Sequence, residues 1–156
     1  MRKWIVLSAL LLTLSFSAFA QQSGEASFGY SNFTNGKNGW DLGLGYKVVK
    51  PVSVVADFGG YYRPSDDIHS FLAGFKVQSP VNHGLSPFGR FLIGGSHVSR
   101  SGGPSDTAGS WAVGGGVDAM ATSQFGVRLS LDAFHTNFNN NGDLHLRTGL
   151  GVVYRF

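Results

Sequence analysis

The sequence predicts an all-β fold: an eight-stranded antiparallel up-and-down barrel of the membrane-spanning kind, preceded by a cleaved signal peptide. Three observations predict it. Apolar and polar residues alternate with a period of two along eight segments, the signature of strands with two unlike faces. One face is crowded with glycine and holds nearly all the mid-strand charge. The other face is aliphatic and aromatic and almost uncharged, as hydrocarbon requires.

The first twenty residues are a separate object. Arg2 and Lys3 precede an apolar run from Trp4 to Leu14, and Ala18 and Ala20 form a small-x-small cleavage site before Gln21. This is the pattern of a secretory signal peptide, too short for a membrane helix. The mature domain is expected to be residues 21–156. It holds ten Lys and Arg against nine Asp and Glu, so the basic balance belongs mostly to the signal and implies no nucleic-acid partner. The chain has no Cys, which excludes disulfides and thiolate metal sites. All 23 Gly lie in the mature part, where they make up about 17%, far above the usual ~7%.

The elements follow in order. Residues 25–32 put Ala26, Phe28 and Tyr30 on one face, and Asn35-Gly36 marks the turn after them. Residues 40–48 set Trp40, Leu42, Leu44 and Tyr46 against Asp41, Gly43, Gly45 and Lys47. A tight turn at Lys50-Pro51 leads to 52–61, where Val54, Ala56 and Phe58 oppose Val55, Asp57 and Gly59. After a loop at 62–68, residues 69–77 oppose Phe71, Ala73 and Phe75 to Leu72, Gly74 and Lys76. A connection at 78–86 leads to 87–97, with Phe91 and Ile93 against Arg90, Leu92 and Gly94. Residues 98–110, rich in Ser and Gly, read as the longest loop. Then 111–120 set Trp111, Val113 and Val117 against Gly114, Gly116 and Asp118. Residues 125–135 set Phe125, Val127, Leu129 and Leu131 against Arg128, Ser130 and Asp132. An Asn-rich loop at 136–142 precedes the closing strand, 144–156, in which Leu144, Leu146, Leu150, Val152, Tyr154 and Phe156 oppose His145, Arg147, Gly149 and Arg155.

Eight to thirteen residues per strand suit a tilted crossing of the bilayer. The glycine face must be the interior, because glycine gains nothing from solvent and a narrow lumen needs small residues beside large charged ones. The charges of that parity, Glu25, Asp41, Asp57, Asp118 and Asp132 with Lys47, Lys76, Arg90, Arg128, Arg147 and Arg155, are expected to form a lumen network, since an unpaired buried charge is costly. Turn positions suggest Glu25 opposite Lys47 with Arg155 nearby, Asp118 opposite Arg128, and Asp132 opposite Arg147. Such a network plugs the lumen; rearranging pairs would instead make a narrow gated pore. Tyr30, Trp40, Trp111 and Phe125, at strand ends, are expected in an aromatic girdle.

The run Gly114-Gly115-Gly116-Val117-Asp118, the Val127-Arg128 pair with Asp132, the closing Leu146–Phe156, Phe71–Lys76, and the segment from Pro87-Phe88 to Gly94-Gly95 resemble the small bacterial outer-membrane β-barrel proteins. They look like the OmpA-type transmembrane domain without its periplasmic domain. The resemblance implies export through the Sec pathway to the outer membrane and contact with lipid and lipopolysaccharide. It also implies a monomer, and insertion by the outer-membrane assembly machinery, with Tyr154 and Phe156 as its signal. A structural or envelope role, or recognition of an extracellular ligand through the loops, goes with that family.

One further pattern points to chemistry. His97 and Ser99 form a His-x-Ser pair similar to that of outer-membrane lipid A deacylases, with Ser as nucleophile and His as base. The nearest candidate for the carboxylate such a base needs is Asp106, in a Gly/Ser loop, and the rest of that family's motif is missing, so the expectation is no enzyme. The five His are scattered without metal-ligand spacing, and the triple glycine does not open a helix, so no metal, cofactor or phosphate loop is expected.

Overall fold

The computed structural model describes residues 24–63, 66–100, 105–138 and 141–156. The signal peptide at 1–20, with its cleavage site at Ala18 and Ala20, lies outside them. The strands are β1 (Gly24–Phe33), β2 (Asn38–Val49), β3 (Val52–Arg63), β4 (Asp66–Gln78), β5 (Leu85–Arg100), β6 (Asp106–Met120), β7 (Phe125–Phe138) and β8 (Asn141–Arg155). Each pairs antiparallel with its neighbours in sequence, and β8 pairs with β1 to close the barrel. A ladder followed from Gly24 through Tyr46, Val54, Phe75, Phe91, Val113, Ala133 and Leu146 returns at Thr34, one residue past the end of β1 and ten on from Gly24. For eight strands, that offset sets a tilt of about 40° and a backbone radius of about 8 Å.

The alternation resolves as an inside-out protein. Phe28, Leu129 and Leu150 are 55–56% exposed on the outer face, while Leu72 and Leu92 are fully buried and Arg147 is 1% exposed inside. Glycine makes the interior possible. A Cβ at Gly59 would lie 2.3 Å from the Tyr61 hydroxyl, and one at Gly114 would lie 2.6 Å from Asp132 Oδ1. Larger residues there would displace the groups that fill the lumen.

Strand ends differ from the sequence expectation at the end away from the chain termini. The segments read as loops at 62–68, 98–110 and 136–142 are largely strand: Arg63 pairs with Asp66, Val98 with Asp106, and Phe138 with Asn141. Ladder hydrogen bonds join backbone groups and need no apolar side chain. The hairpins therefore continue where the hydrophobic alternation fades. The connection between β4 and β5 is tighter than expected. Asn82 and Leu85 exchange backbone hydrogen bonds of 2.8 and 2.9 Å around His83 and Gly84, both at positive φ. That is the type I′ pattern, matched to strand twist.

Candidate functional site in the barrel lumen

Two clusters of charge sit inside the barrel. In the one nearer the termini, Arg128 donates from Nε and Nη2 to Asp118 at 2.7 and 2.9 Å, and from Nη2 to Glu25 at 3.0 Å. Glu25 also pairs with Lys76. Asp118 Oδ2 further accepts from Arg155 Nη2 at 2.8 Å and from Gln78 Nε2 at 2.7 Å, while Lys76 donates to Gln78 Oε1 at 2.8 Å. The Phe88 ring lies 4.7 Å from the Arg128 guanidinium carbon and 5.5 Å from Lys76 Nζ.

The middle cluster is a ring of two acids and two bases. Asp132 accepts from Arg90 Nε (3.0 Å) and Nη2 (2.6 Å), and from Arg147 Nε (3.1 Å) and Nη2 (2.9 Å). Asp57 accepts from Arg90 at 3.2 Å and Arg147 at 2.8 Å. Arg147 Nη1 also donates to the Tyr61 hydroxyl at 2.8 Å. Ser31 donates to Asp41 beside this ring. Toward the outer end of their strands, Phe33, Tyr61 and Phe134 pack edge-on, with ring centroids 4.7 and 5.2 Å apart, and join Leu72, Leu92 and Ala112 in one buried cluster.

Asp118 is the direct partner of Arg128 across β6 and β7, and Asp132 that of Arg147 across β7 and β8. Glu25 is not opposite Lys47. It faces Gly45, and Lys47 stands two residues further toward the mouth, exposed. The β1–β2 hairpin turns at residues 34–37, earlier than the midpoint at Gly36 implies, and each residue of shift there moves the partner by two. Arg155 is level with Glu25 on β8 but reaches Asp118 instead. Sequence reasoning missed Tyr61, Gln78, the aromatic cluster and Ser27, whose hydroxyl accepts from Arg128 Nη1 at 3.2 Å. Tyr61 and Gln78 have lumen parity, so alternation carried that signal.

Outside the barrel, aromatic residues gather at both ends. Tyr30 is opposite Trp40, Trp40 Nε1 donates to the Tyr62 hydroxyl at 3.2 Å, and Trp111 stacks on His135 at 5.1 Å. At the other end Phe125 packs on Tyr154 at 4.7 Å.

A barrel that turns its aliphatic side chains outward and its charges inward needs a lipid surround. The family comparison agrees: the model described as outer membrane protein beta-barrel domain matches residues 6–156. The chain belongs to that family. It is a protein of the bacterial outer membrane. Its short turns and both chain termini share one end of the barrel, the end that faces the periplasm in barrels of this kind. No curated protein matches it. Among solved structures, the N-terminal barrel of Pseudomonas aeruginosa OprF matches with a TM-score of 0.68 and 17% identity, over 86% of this chain and 98% of that one. The attachment invasion locus protein Ail of Yersinia pestis matches at 0.60 and 18%, over 87% and 100%. The outer membrane enzyme PagL matches at 0.58 and 16%, over 85% and 99%. At these identities the likeness is one of fold. The OmpA-like barrel expected from the sequence stands.

Proposed function

We propose that this protein is a non-conducting, non-enzymatic barrel that acts through its stability in the envelope and through its outer surface. The observation that supports the shut lumen is the charge ring of Asp57, Arg90, Asp132 and Arg147, in which every base holds both acids. An eight-stranded interior has room for little beyond such side chains. Planar-bilayer recordings of the wild type and of Asp132→Ala should both show conductance at the bare-membrane level. Discrete openings in either would favour the gated pore, for which Arg128, already shared between Glu25 and Asp118, is the natural moving part.

The geometry at the rim supports the non-enzymatic reading. His97 Nδ1 shares a 2.8 Å hydrogen bond with Thr107 Oγ1, and the Asp106 carboxylate accepts from the Thr107 backbone N–H at 2.9 Å. Among the described residues, no carboxylate orients the imidazole for Ser99.

Assembly-machinery recognition belongs to the end of β8. Phe156 exchanges backbone hydrogen bonds with Gly24 at 3.0 Å in both directions and lies beside Tyr154. Deleting Phe156 removes a single pair from the β1–β8 ladder, so the refolded barrel should lose only about 1 kcal/mol. Its level in the outer membrane should fall several-fold, measured by fractionation and heat-modifiability. Wild-type levels would end the assembly-signal reading.

A further inference from the structure

At its periplasmic end the lumen opens into a cavity of about 260 Å³. Lys47, Lys50 and Arg155 line it together with Glu25 and Ser53. Pro51, Pro80 and Val81 form an apolar part of the wall.

The charge around this cavity is one-sided. Glu25 is already held by Lys76 and Arg128, and Asp118 by Arg128 and Arg155. The cluster beneath the cavity thus sets two carboxylates against three cations. Lys47 and Lys50, both exposed, add two more at the mouth. The middle cluster behaves differently: Asp57 and Asp132 balance Arg90 and Arg147. Lys47 and Lys50 stay in contact with water, so the free protein tolerates this excess, and an anion entering the mouth meets positive charge that no described carboxylate there offsets. A concave mouth with three cations and one carboxylate in its lining, that carboxylate already held by Lys76 and Arg128, concentrates negative counter-ions.

We propose that this periplasmic mouth is a binding site for a compact oxyanion, a phosphate or carboxylate group carried on a small molecule, held between Lys47, Lys50 and Arg155. Ser53 offers a hydroxyl beside them. The cavity is larger than the ion alone, and the proline and valine wall suits an uncharged body attached to it. The shared requirement is a localised negative charge. Lysine supplies point charges for it, and the Arg155 guanidinium, only one of whose nitrogens is committed to Asp118, supplies a planar fork.

The test uses isotope-labelled full-length mature protein in maltoside micelles, followed by backbone amide NMR. It is titrated separately with inorganic phosphate, with N-acetyl-alanine, and with N-acetyl-alanine amide as the neutral control. Saturable shifts at Lys47, Ser53 and Arg155 with either anion, and none with the amide, are expected; which anion saturates assigns the group. Lys47→Gln/Lys50→Gln should weaken that binding about tenfold, the loss of two point charges at a partly solvated site. Both lysines are exposed at the barrel end, so heat-modifiability should verify that the double variant is folded. Absence of saturation with both anions, equal shifts with the amide, or unchanged binding in the folded double variant would overturn the proposal.

Discussion

Replacing Asp132 with Ala should destabilise the folded barrel by about 3–5 kcal/mol, the usual consequence of removing one partner from a buried ion pair. Asp132 has no exposed surface and accepts four hydrogen bonds from two guanidinium groups. Without it, Arg90 and Arg147 converge on Asp57 alone, which they already contact at 3.2 and 2.8 Å. One carboxylate cannot balance two bases in an interior with no room for bulk water. Asp132→Asn keeps the shape and one acceptor oxygen but not the charge, and should fall between the two. Urea unfolding of barrels reconstituted in phospholipid vesicles, followed by tryptophan fluorescence, measures both. A loss below 1 kcal/mol for the alanine variant would mean that water or a counter-ion enters the lumen freely, contrary to a shut interior.

Which face each residue occupies was legible in the sequence because the strand period is two. A slip of one residue would have turned Arg128, Asp132 and Arg147 toward lipid together, so the register tolerates no error. Pairs on adjacent strands were legible where a short turn anchors them, as the β6–β7 turn at residues 121–124 does for Asp118 and Arg128. Pairs that cross the lumen were not. Arg90 with Asp132 joins β5 to β7, Arg147 with Asp57 joins β8 to β3, and Arg128 with Glu25 joins β7 to β1. Their meeting depends on the ten-residue offset that accumulates around the barrel, and no single hairpin encodes it. Lys47 was misplaced for a related reason: its distance from Glu25 along the axis rests on where one loop turns. The outer strand extensions were hidden because backbone pairing leaves no trace in hydropathy.

Arginine at Leu129 tests the assignment of the two faces, and the expected cost is about 2–4 kcal/mol. Leu129 points outward, 55% exposed, between Val117 on β6 and Leu150 on β8. Along β7 it lies between Phe125, which packs on Tyr154 at one interface, and His135, which stacks on Trp111 at the other. The hydrocarbon midplane therefore falls near Leu129 and Leu131. The same substitution at His135 should cost only about 0–1 kcal/mol, because near the interface the guanidinium reaches water and phosphate. A depth profile of this kind separates lipid from water as the surrounding medium. In water an exposed Leu→Arg change is nearly neutral at every position, within about 0.5 kcal/mol. Equal and small effects at 129 and 135, measured by reversible denaturation in vesicles, would place the aliphatic face against water. A steep fall from 129 to 135 fixes the belt between the two aromatic clusters. It also makes the glycine-lined, charge-bearing face the lumen, because a closed barrel has no third side.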